Sequence, residues 1–291
     1  MKSMYEKDRQ EIIDINAKRD AHFSTRYSCL PVRHIMGISG GKDSAALAIH
    51  IKDKYPEIHS EMEYFFTDTG KELPEVYEFL DQMENYLGKP VLRLGADKGF
   101  DWWLKYNHGF LPSHRARWCT KYLKIVPFEK FVGASQVISY VGIRADENRK
   151  AYMSKKKNIK AVYPLSEDGL VRKDIFDILE RTVGIPKYYE WRSRSGCYFC
   201  FFQRQGEWLG LKERHPKLFE KAKAYEKQGE GYKFNWTGRG NLDEVIERAK
   251  LAKLKAKLKP EKDRRKVTWE VMLRDTPDEH ESDQACAICA M

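Results

Sequence analysis

The sequence has no long apolar run. Of its 291 residues 33% are charged, and no stretch approaches the roughly 20 consecutive apolar residues that a membrane-spanning helix requires. Its first nine residues carry too many charges for a secretory signal peptide. These two absences predict a soluble, cytoplasmic protein without a membrane partner.

Cysteine is also scarce, with six residues in the chain. Without a secretory signal, these cysteines favour a reducing compartment, where clustered thiols bind metals or perform redox chemistry instead of forming a disulfide scaffold. Cys29 stands alone in the sequence and is predicted to be an inert small side chain. The formal net charge of +10 favours a polyanionic partner such as a nucleic acid, with simple solubility as the alternative.

A glycine-rich stretch, Ser39–Ser44, stands between a short apolar run and an apolar stretch of helical period. This order predicts a strand, a tight turn and a helix that begins at Asp43 or Ser44. Gly40 and Gly41 would let backbone N–H groups face one anion, and Lys42 would add a positive charge. No earlier glycine stands at the Walker spacing, which excludes that pattern. The stretch therefore predicts a phosphate site, with an ordinary strand-to-helix turn as the alternative.

These six residues resemble the PP-loop of the ATP pyrophosphatase superfamily, whose members cleave ATP between the α and β phosphates. The resemblance implies ATP and Mg²⁺ as cofactors, with Ser39, Lys42 and Asp43 as the catalytic residues. It further implies that the carboxylate next to Mg²⁺ belongs to Asp43, with Asp68 as the second candidate.

From residue 34 onward, strand and helix patterns alternate, which predicts an α/β fold: a parallel sheet with helices on both faces, similar to adenine nucleotide α-hydrolases. Strands are predicted over 34–38, 62–66, 91–94 and 136–143. Helices are predicted up to residue 55, from Pro74 to Leu87, and over 100–106 and 172–183. The predicted regions are a helical extension (1–33), the PP-loop domain (34–190), a region with cysteines, aromatic residues and basic residues but no clear periodicity (191–242), and a basic helix with a tail (243–291).

Two further motifs follow predicted strands and would lie beside the loop at the carboxyl edge of the sheet. Asp68-Thr69-Gly70 resembles the second characteristic element of the same superfamily, although it is also a good turn sequence. Gly142-Ile143-Arg144 resembles the Gly-x-Arg loop of phosphoadenylyl-sulfate (PAPS) reductase-like proteins, with a plain surface loop as the alternative. Arg144 and Arg149 are predicted to hold phosphate oxygens.

Three cysteines form a candidate set of metal ligands. Cys197 and Cys200 are a C-x-x-C pair, and Cys119 lies far upstream in a basic loop. The set resembles the Cys-Cys…Cys-x-x-Cys ligands of the [4Fe–4S] cluster in adenylyl-sulfate (APS) reductases, but Trp118 occupies the place of the first cysteine. The resemblance implies a three-cysteine cluster with one open iron, while Zn²⁺ remains an alternative because it uses the same ligands.

A fourth ligand could come from His114, Cys286 or Cys289. The Cys286–Cys289 pair could also relay a persulfide, or it could belong to a disordered tail. PAPS reductases carry their nucleophilic cysteine in a C-terminal Glu-Cys-Gly-(Leu/Ile)-His segment, and this chain has none. That difference argues against sulfate reduction.

The resemblance implies an ATP pyrophosphatase that adenylates an oxygen acceptor for sulfur insertion, closest to the Dnd and Ssp enzymes of bacterial DNA phosphorothioation. Its predicted partners are DNA, a cysteine desulfurase as sulfur donor, and other subunits of a modification complex. The alternatives are a tRNA thiolase, a PAPS or APS reductase, and a non-catalytic nucleotide-binding subunit. Basic and aromatic residues near Arg115–Lys124 and Trp191–Arg194 would contact phosphates and stack on unpaired bases, although packing explains these aromatics equally well.

Overall fold

A computed structural model describes residues 32–147, 156–229, 232–238 and 240–257. Its centre is a five-stranded sheet in which every neighbouring pair of strands is parallel. The strands are β1 (Arg33–Gly37), β2 (Met62–Asp68), β3 (Val91–Gly95), β4 (Val137–Tyr140) and β5 (Ile159–Val162). This arrangement confirms the predicted α/β fold with a parallel sheet.

The predicted strands are all present, with two differences. The fourth strand is shorter than 136–143 because the chain leaves the sheet after Tyr140, and residues 141–144 run toward the first helix. The edge strand β5 was missed, since its four residues lie among lysines and carry little alternation of apolar and polar side chains.

Helices connect the strands and cover the sheet. Before β4 they are α1 (Lys42–Lys54), α2 (Pro56–Glu61), α3 (Pro74–Leu87), α4 (Phe100–Tyr106), α5 (Trp118–Thr120), a π-helical segment (Lys121–Ile125) and α6 (Val126–Val132). After β5 they are α7 (Pro164–Glu167), α8 (Arg172–Arg181), a 3₁₀ helix (Lys187–Glu190), α9 (Gln205–Arg214), α10 (Pro216–Ala224) and α11 (Leu242–Lys257). A short antiparallel pair, β6 (Lys227–Gly229) and β7 (Tyr232–Phe234), precedes α11.

The sequence anticipated some helices better than others. The buried residues of α3 are those of its predicted apolar face: Val76, Phe79, Leu80, Met83 and Leu87. In contrast, α9 and α10 lie where no periodicity was predicted. The extension at 1–31, Cys29, Arg149, Cys286, Cys289 and the end of the predicted basic helix lie outside the described residues.

The strand order β3-β2-β1-β4-β5 places the site-bearing loops. From β1 the chain winds outward through β2 and β3, then returns to the other side of β1 with β4. Adjacent β1 and β4 therefore form the switch point of a doubly wound sheet, where ligands bind beyond the carboxyl ends of the strands. Ser39–Ser44 follows β1 and Gly142–Arg144 follows β4, so both predicted phosphate motifs flank this point.

Side chains from both the predicted PP-loop domain and the region after residue 190 pack into one continuous hydrophobic core. Leu47 and Phe65 belong to it, as do Phe199, Trp208 and Trp236. The division into these two regions stays a prediction. Within the described parts of the chain, no helix combines the length and the apolar character needed to cross a membrane.

Candidate functional site: a nucleotide loop beside three cysteines

The Ser39–Ser44 loop closes tightly onto the start of α1. Gly40 has a φ of +75°, which a residue with a side chain adopts only with strain, and Gly41 is the N-cap of the helix. The hydroxyls of Ser39 and Ser44 lie 3.2 Å apart, and Ser44 Oγ donates to the Gly41 carbonyl at 3.0 Å. The predicted strand, turn and helix are therefore present, and the helix begins one residue earlier than predicted.

Two buried tyrosines that the sequence did not single out hold this loop from behind. Tyr188 donates its hydroxyl to the Gly40 carbonyl, and the Lys42 N–H donates to Tyr189 Oη at 2.8 Å. Burial raises the pKa of Tyr188 well above its usual value, so its hydroxyl keeps the proton it donates. The Lys42 amide is therefore directed at Tyr189 in this structure.

A compact ion network lies at the start of α1. Asp43 accepts from Lys42 Nζ at 2.9 Å through Oδ2 and from Arg144 at 2.8 Å through Oδ1. Arg144, which is 2% exposed, also pairs with Asp146 and Glu147 at 2.8 Å. Burial alone would raise the pKa of Asp43, but the charges of Lys42 and Arg144 outweigh it and hold that pKa well below its usual value. Arg144 thus fixes the helix start, and its predicted contact with phosphate stays a prediction.

Gly142 makes this network possible because it lets two stretches of backbone approach closely. A Cβ atom at this position would lie 3.1 Å from the carbonyl carbon and oxygen of Asp43 and 3.2 Å from the Ser44 nitrogen. A side chain would push the loop away from α1 and separate Arg144 from Asp43. Steric need therefore explains the glycine of the Gly-x-Arg motif.

Asp68 closes the turn after β2. Its Oδ1 accepts from the Gly70 N–H at 2.7 Å and from the Tyr77 hydroxyl at 2.8 Å. Mg²⁺ prefers carboxylate oxygens and keeps several waters, so it needs an ionised oxygen that is not already paired with cations. Both carboxylate oxygens of Asp43 are paired with cations. The two partners of Asp68, in contrast, are neutral donors that both contact Oδ1. The donor chemistry fits a magnesium-side carboxylate better at Asp68 than at Asp43.

The turn after β2 touches the cysteine region directly. Thr69 donates its hydroxyl to Glu72 Oε1 at 2.9 Å and lies 3.2 Å from Cys197 Sγ. Cys197 Sγ in turn lies 3.6 Å from Glu72 Oε1. Burial, and then the charge of Glu72, raise the pKa of Cys197 well above its usual value. The second nucleotide motif and the C-x-x-C motif, predicted separately, are thus in contact.

The other two cysteines lie in the same region. The Cys200 N–H donates to the Cys197 carbonyl at 3.1 Å, which folds the C-x-x-C pair into a turn. Burial raises the pKa of Cys119 to about 12, and the nearby Cys200 also contributes, while Lys124 acts in the opposite direction. His114, a predicted fourth ligand, packs against Phe201 and Phe202 just beyond this pair.

The thiols of Cys119, Cys197 and Cys200 form a donor set that suits either iron or zinc. No group of three or more His, Cys, Asp or Glu side chains is arranged as a metal site within the described residues. The thiols would have to lose their protons to bind one metal group, because the thiolate is the ligand. The cluster and its zinc alternative therefore stay predictions.

Replacing Gly40 by alanine is expected to destabilise the fold by about 1–3 kcal/mol and to weaken ATP binding. The new Cβ would lie 2.8 Å from Val76 Cγ1, in addition to the strain of a positive φ. Chemical denaturation and nucleotide titration would measure the two effects. Gly88→Ala is the matched control, because Gly88 at the end of α3 has a similar φ of +68° and an added Cβ there would have no atom within 4 Å. Equal losses in both variants would contradict a role for the contact with Val76.

Comparison with known proteins shows what this chain is similar to. Residues 33–172 match the model of the phosphoadenosine phosphosulfate reductase domain. This match covers 140 of the 291 residues, so it shows a likeness of that segment to the phosphoadenosine phosphosulfate reductase domain. A curated relative, the "uncharacterized protein MJ0066" of Methanocaldococcus jannaschii, is 28% identical over 201 residues, which are 64% of this chain and 40% of the relative. The chain thus spans less than half of that relative's length.

Two solved structures are similar at a greater distance. A PAPS reductase from Candida auris in complex with phosphate has a TM-score of 0.42 at 12% identity. The aligned region covers 61% of this chain and 88% of the reductase chain. The U34-tRNA thiolase NcsA of Methanococcus maripaludis, with its [4Fe–4S] cluster, has a TM-score of 0.35 at 15% identity. The aligned region covers 81% of this chain and 88% of the thiolase chain. Neither likeness is close enough to transfer a ligand or an activity.

Proposed function

We propose that this chain is an ATP pyrophosphatase that activates an oxygen of a nucleic acid for replacement by sulfur. The observation that carries the proposal is the contact of Thr69 with Cys197, which joins the nucleotide side of the site to the thiols. A phosphate-binding loop alone would support many nucleotide enzymes. A phosphate-binding loop beside three thiols supports chemistry in which a nucleotide and sulfur meet.

In this proposal the Ser39–Ser44 loop binds the β and γ phosphates of ATP, and Lys42 neutralises their charge. Mg²⁺ would be held on the Asp68 side and would supply further charge neutralisation. The acceptor oxygen attacks the α phosphorus and pyrophosphate leaves, so the product is an adenylated acceptor. The chain's contribution is positioning and charge stabilisation, which requires no strong base.

Cys119, Cys197 and Cys200 would hold an iron–sulfur cluster, or Zn²⁺ as the alternative. Such a cluster would supply a place to carry sulfur close to the adenylated oxygen. A cysteine desulfurase would deliver that sulfur as a persulfide. The terminal sulfur would attack the adenylated centre of the acceptor, AMP would leave, and a thiol reductant would cleave the S–S bond with two electrons so that sulfide-level sulfur stays on the acceptor. The thiols are partly buried, and this limits the access of water to them.

DNA is the proposed acceptor, with a non-bridging oxygen of its backbone replaced by sulfur in a bacterial modification or defence system. The net charge of +10 supports a nucleic acid but does not distinguish DNA from tRNA. The family match over residues 33–172 also supports a second candidate, a sulfonucleotide reductase that acts on PAPS or APS. The two candidates differ in their products.

The test is an anaerobic assay with ATP labelled at the α phosphate, with DNA, tRNA or neither. We expect AMP and pyrophosphate in a reaction that DNA stimulates, and phosphorothioate dinucleotides by mass spectrometry of DNA from cells that carry the gene. Stimulation by tRNA alone, with thiolated nucleosides, would change the acceptor. Thioredoxin-dependent release of sulfite from PAPS or APS, without cleavage of ATP, would replace the proposal with a reductase.

A further inference from the structure

Helix α4 and the chain after it expose three large aromatic rings within nine consecutive positions, 102–110. Trp102 is 42% exposed, Tyr106 61% and Phe110 50%. Aromatic rings of this size are ordinarily buried, and a cluster of exposed ones marks an interaction site. We call Trp102, Tyr106 and Phe110, with the lysines around them, the aromatic–basic surface.

The rings of this surface are held as a platform. Trp102 and Tyr106 are one helical turn apart on α4 and stack with centroids 5.4 Å apart and planes at 13°. Behind them Trp103 stacks on Tyr122 with centroids 3.6 Å apart and planes at 4°. A flat aromatic group could therefore stack on the exposed rings with little loss of side-chain freedom on binding.

The segment that carries the platform is rich in positive charge. Residues 98–124 contain six Lys and Arg residues and a single carboxylate, Asp101, which pairs with Lys71 at 2.8 Å. Lys98 Nζ lies 5.8 Å from the centroid of the Trp102 ring, and Lys121 Nζ lies 5.0 Å from that of Tyr122. The surface thus suits a partner that is anionic and also carries flat rings.

The platform borders the cysteine region. Phe100, the first residue of α4, packs on Trp118 with centroids 5.1 Å apart, and Trp118 precedes Cys119 in the chain. Tyr122, which supports the platform, lies in the π-helical segment directly after Cys119. Such segments interrupt α-helices frequently at functional sites. A strand lying on the platform would be close to Cys119.

We infer that the aromatic–basic surface binds single-stranded nucleic acid. Unpaired bases stack on Trp102 and Tyr106, and Lys98, Lys105 and Lys121 contact the phosphates, the combination that proteins use for single strands. In a duplex the base faces are already stacked and cannot lie on the rings. This inference rests on the proposed function because both have a nucleic acid as the partner. It adds that the nucleic acid is bound as a single strand and that the aromatic–basic surface binds it.

The test measures binding of a fluorescent single-stranded oligonucleotide to the full chain by anisotropy, without ATP. The double variant Trp102→Ala, Tyr106→Ala is expected to weaken binding at least about tenfold, since the loss of each stacked base weakens binding about fivefold or more. Lys105→Ala is expected to weaken binding and to lower the slope of log affinity against log salt by about 0.7. A hairpin duplex should bind at least about tenfold more weakly than the single strand.

Leu254→Ala and Lys173→Ala are the controls, because both side chains are exposed and lie on other helices, α11 and α8. They should bind like the unaltered chain. Equal binding by the double variant and these controls would overturn the inference, as would preference for the duplex. A concentration-dependent dimer that only the double variant loses would assign the surface to a second copy of this chain and also overturn it.

ATP cleavage without nucleic acid separates this inference from the proposed function. If the chain cleaves ATP while the double variant binds the oligonucleotide as the unaltered chain does, the inferred binding surface is wrong and the proposed pyrophosphatase activity is kept. If the double variant loses oligonucleotide binding and the unaltered chain releases no pyrophosphate from ATP, the inferred binding surface is kept and the proposed function is wrong.

Discussion

Lys42→Ala is expected to lower the rate of pyrophosphate release from ATP by about 100-fold or more. The Lys42 side chain is buried at the loop, 4% exposed, with its ammonium beside the carboxylate of Asp43. A charge in such a low-dielectric position stabilises the developing charge on phosphate oxygens far more than an exposed lysine would. Single-turnover measurement with labelled ATP, under saturating nucleotide, would separate this effect from weaker binding.

The control for Lys42 is Lys54→Ala in the last turn of the same helix. The Lys54 side chain is 48% exposed and pairs with Asp168, and exposed pairs contribute little to stability. This variant should therefore retain the full rate. Asp43 keeps Arg144 as a partner when Lys42 is removed, so Lys42→Ala should remain folded. Sulfur incorporation that persists in Lys42→Ala would instead support a non-catalytic nucleotide-binding subunit.

The sequence predicts those parts of the fold whose cause is local. Glycines in a strand-to-helix turn and the apolar face of α3 are such cases, because a few neighbouring residues determine them. Strand β5 was missed since its four residues lie at an edge of the sheet and carry a weak pattern. The helices α9 and α10 were missed because α9 buries the consecutive residues 207–211 and the short α10 buries Phe219 and Ala222, so neither shows a long periodic apolar face.

The candidate site was predicted as separate motifs, and its connections were not. Asp43 and Arg144 are 101 positions apart, and Thr69 and Cys197 are 128 apart, so no local pattern reveals either contact. The tyrosines behind the loop looked like ordinary core residues, and Tyr189 became notable only through its bond to the Lys42 amide. The contacts of Asp43 with Lys42 and Arg144 occupy both of its carboxylate oxygens, and this is the reason that the proposed function places magnesium on the Asp68 side.

Replacing any one of Cys119, Cys197 and Cys200 by serine is expected to abolish sulfur incorporation while ATP cleavage remains within about threefold of the unaltered rate. Serine is nearly isosteric, and at position 197 its hydroxyl could still donate to Glu72, as the thiol does. An alcohol oxygen, however, does not replace a thiolate as a ligand of iron or zinc. The loss should therefore fall on the sulfur step and leave the nucleotide loop intact.

The measurement is iron and acid-labile sulfide per chain after anaerobic purification, followed by sulfur incorporation into nucleic acid. The unaltered chain should be brown, each of the three serine variants should have lost most of its iron, and Cys29→Ser should match the unaltered chain. Colourless protein with one zinc per chain would contradict the iron–sulfur cluster but keep the three thiols as ligands. Full sulfur incorporation by the variants would remove the thiols from the mechanism, and the contact between Thr69 and Cys197 would then be structural only.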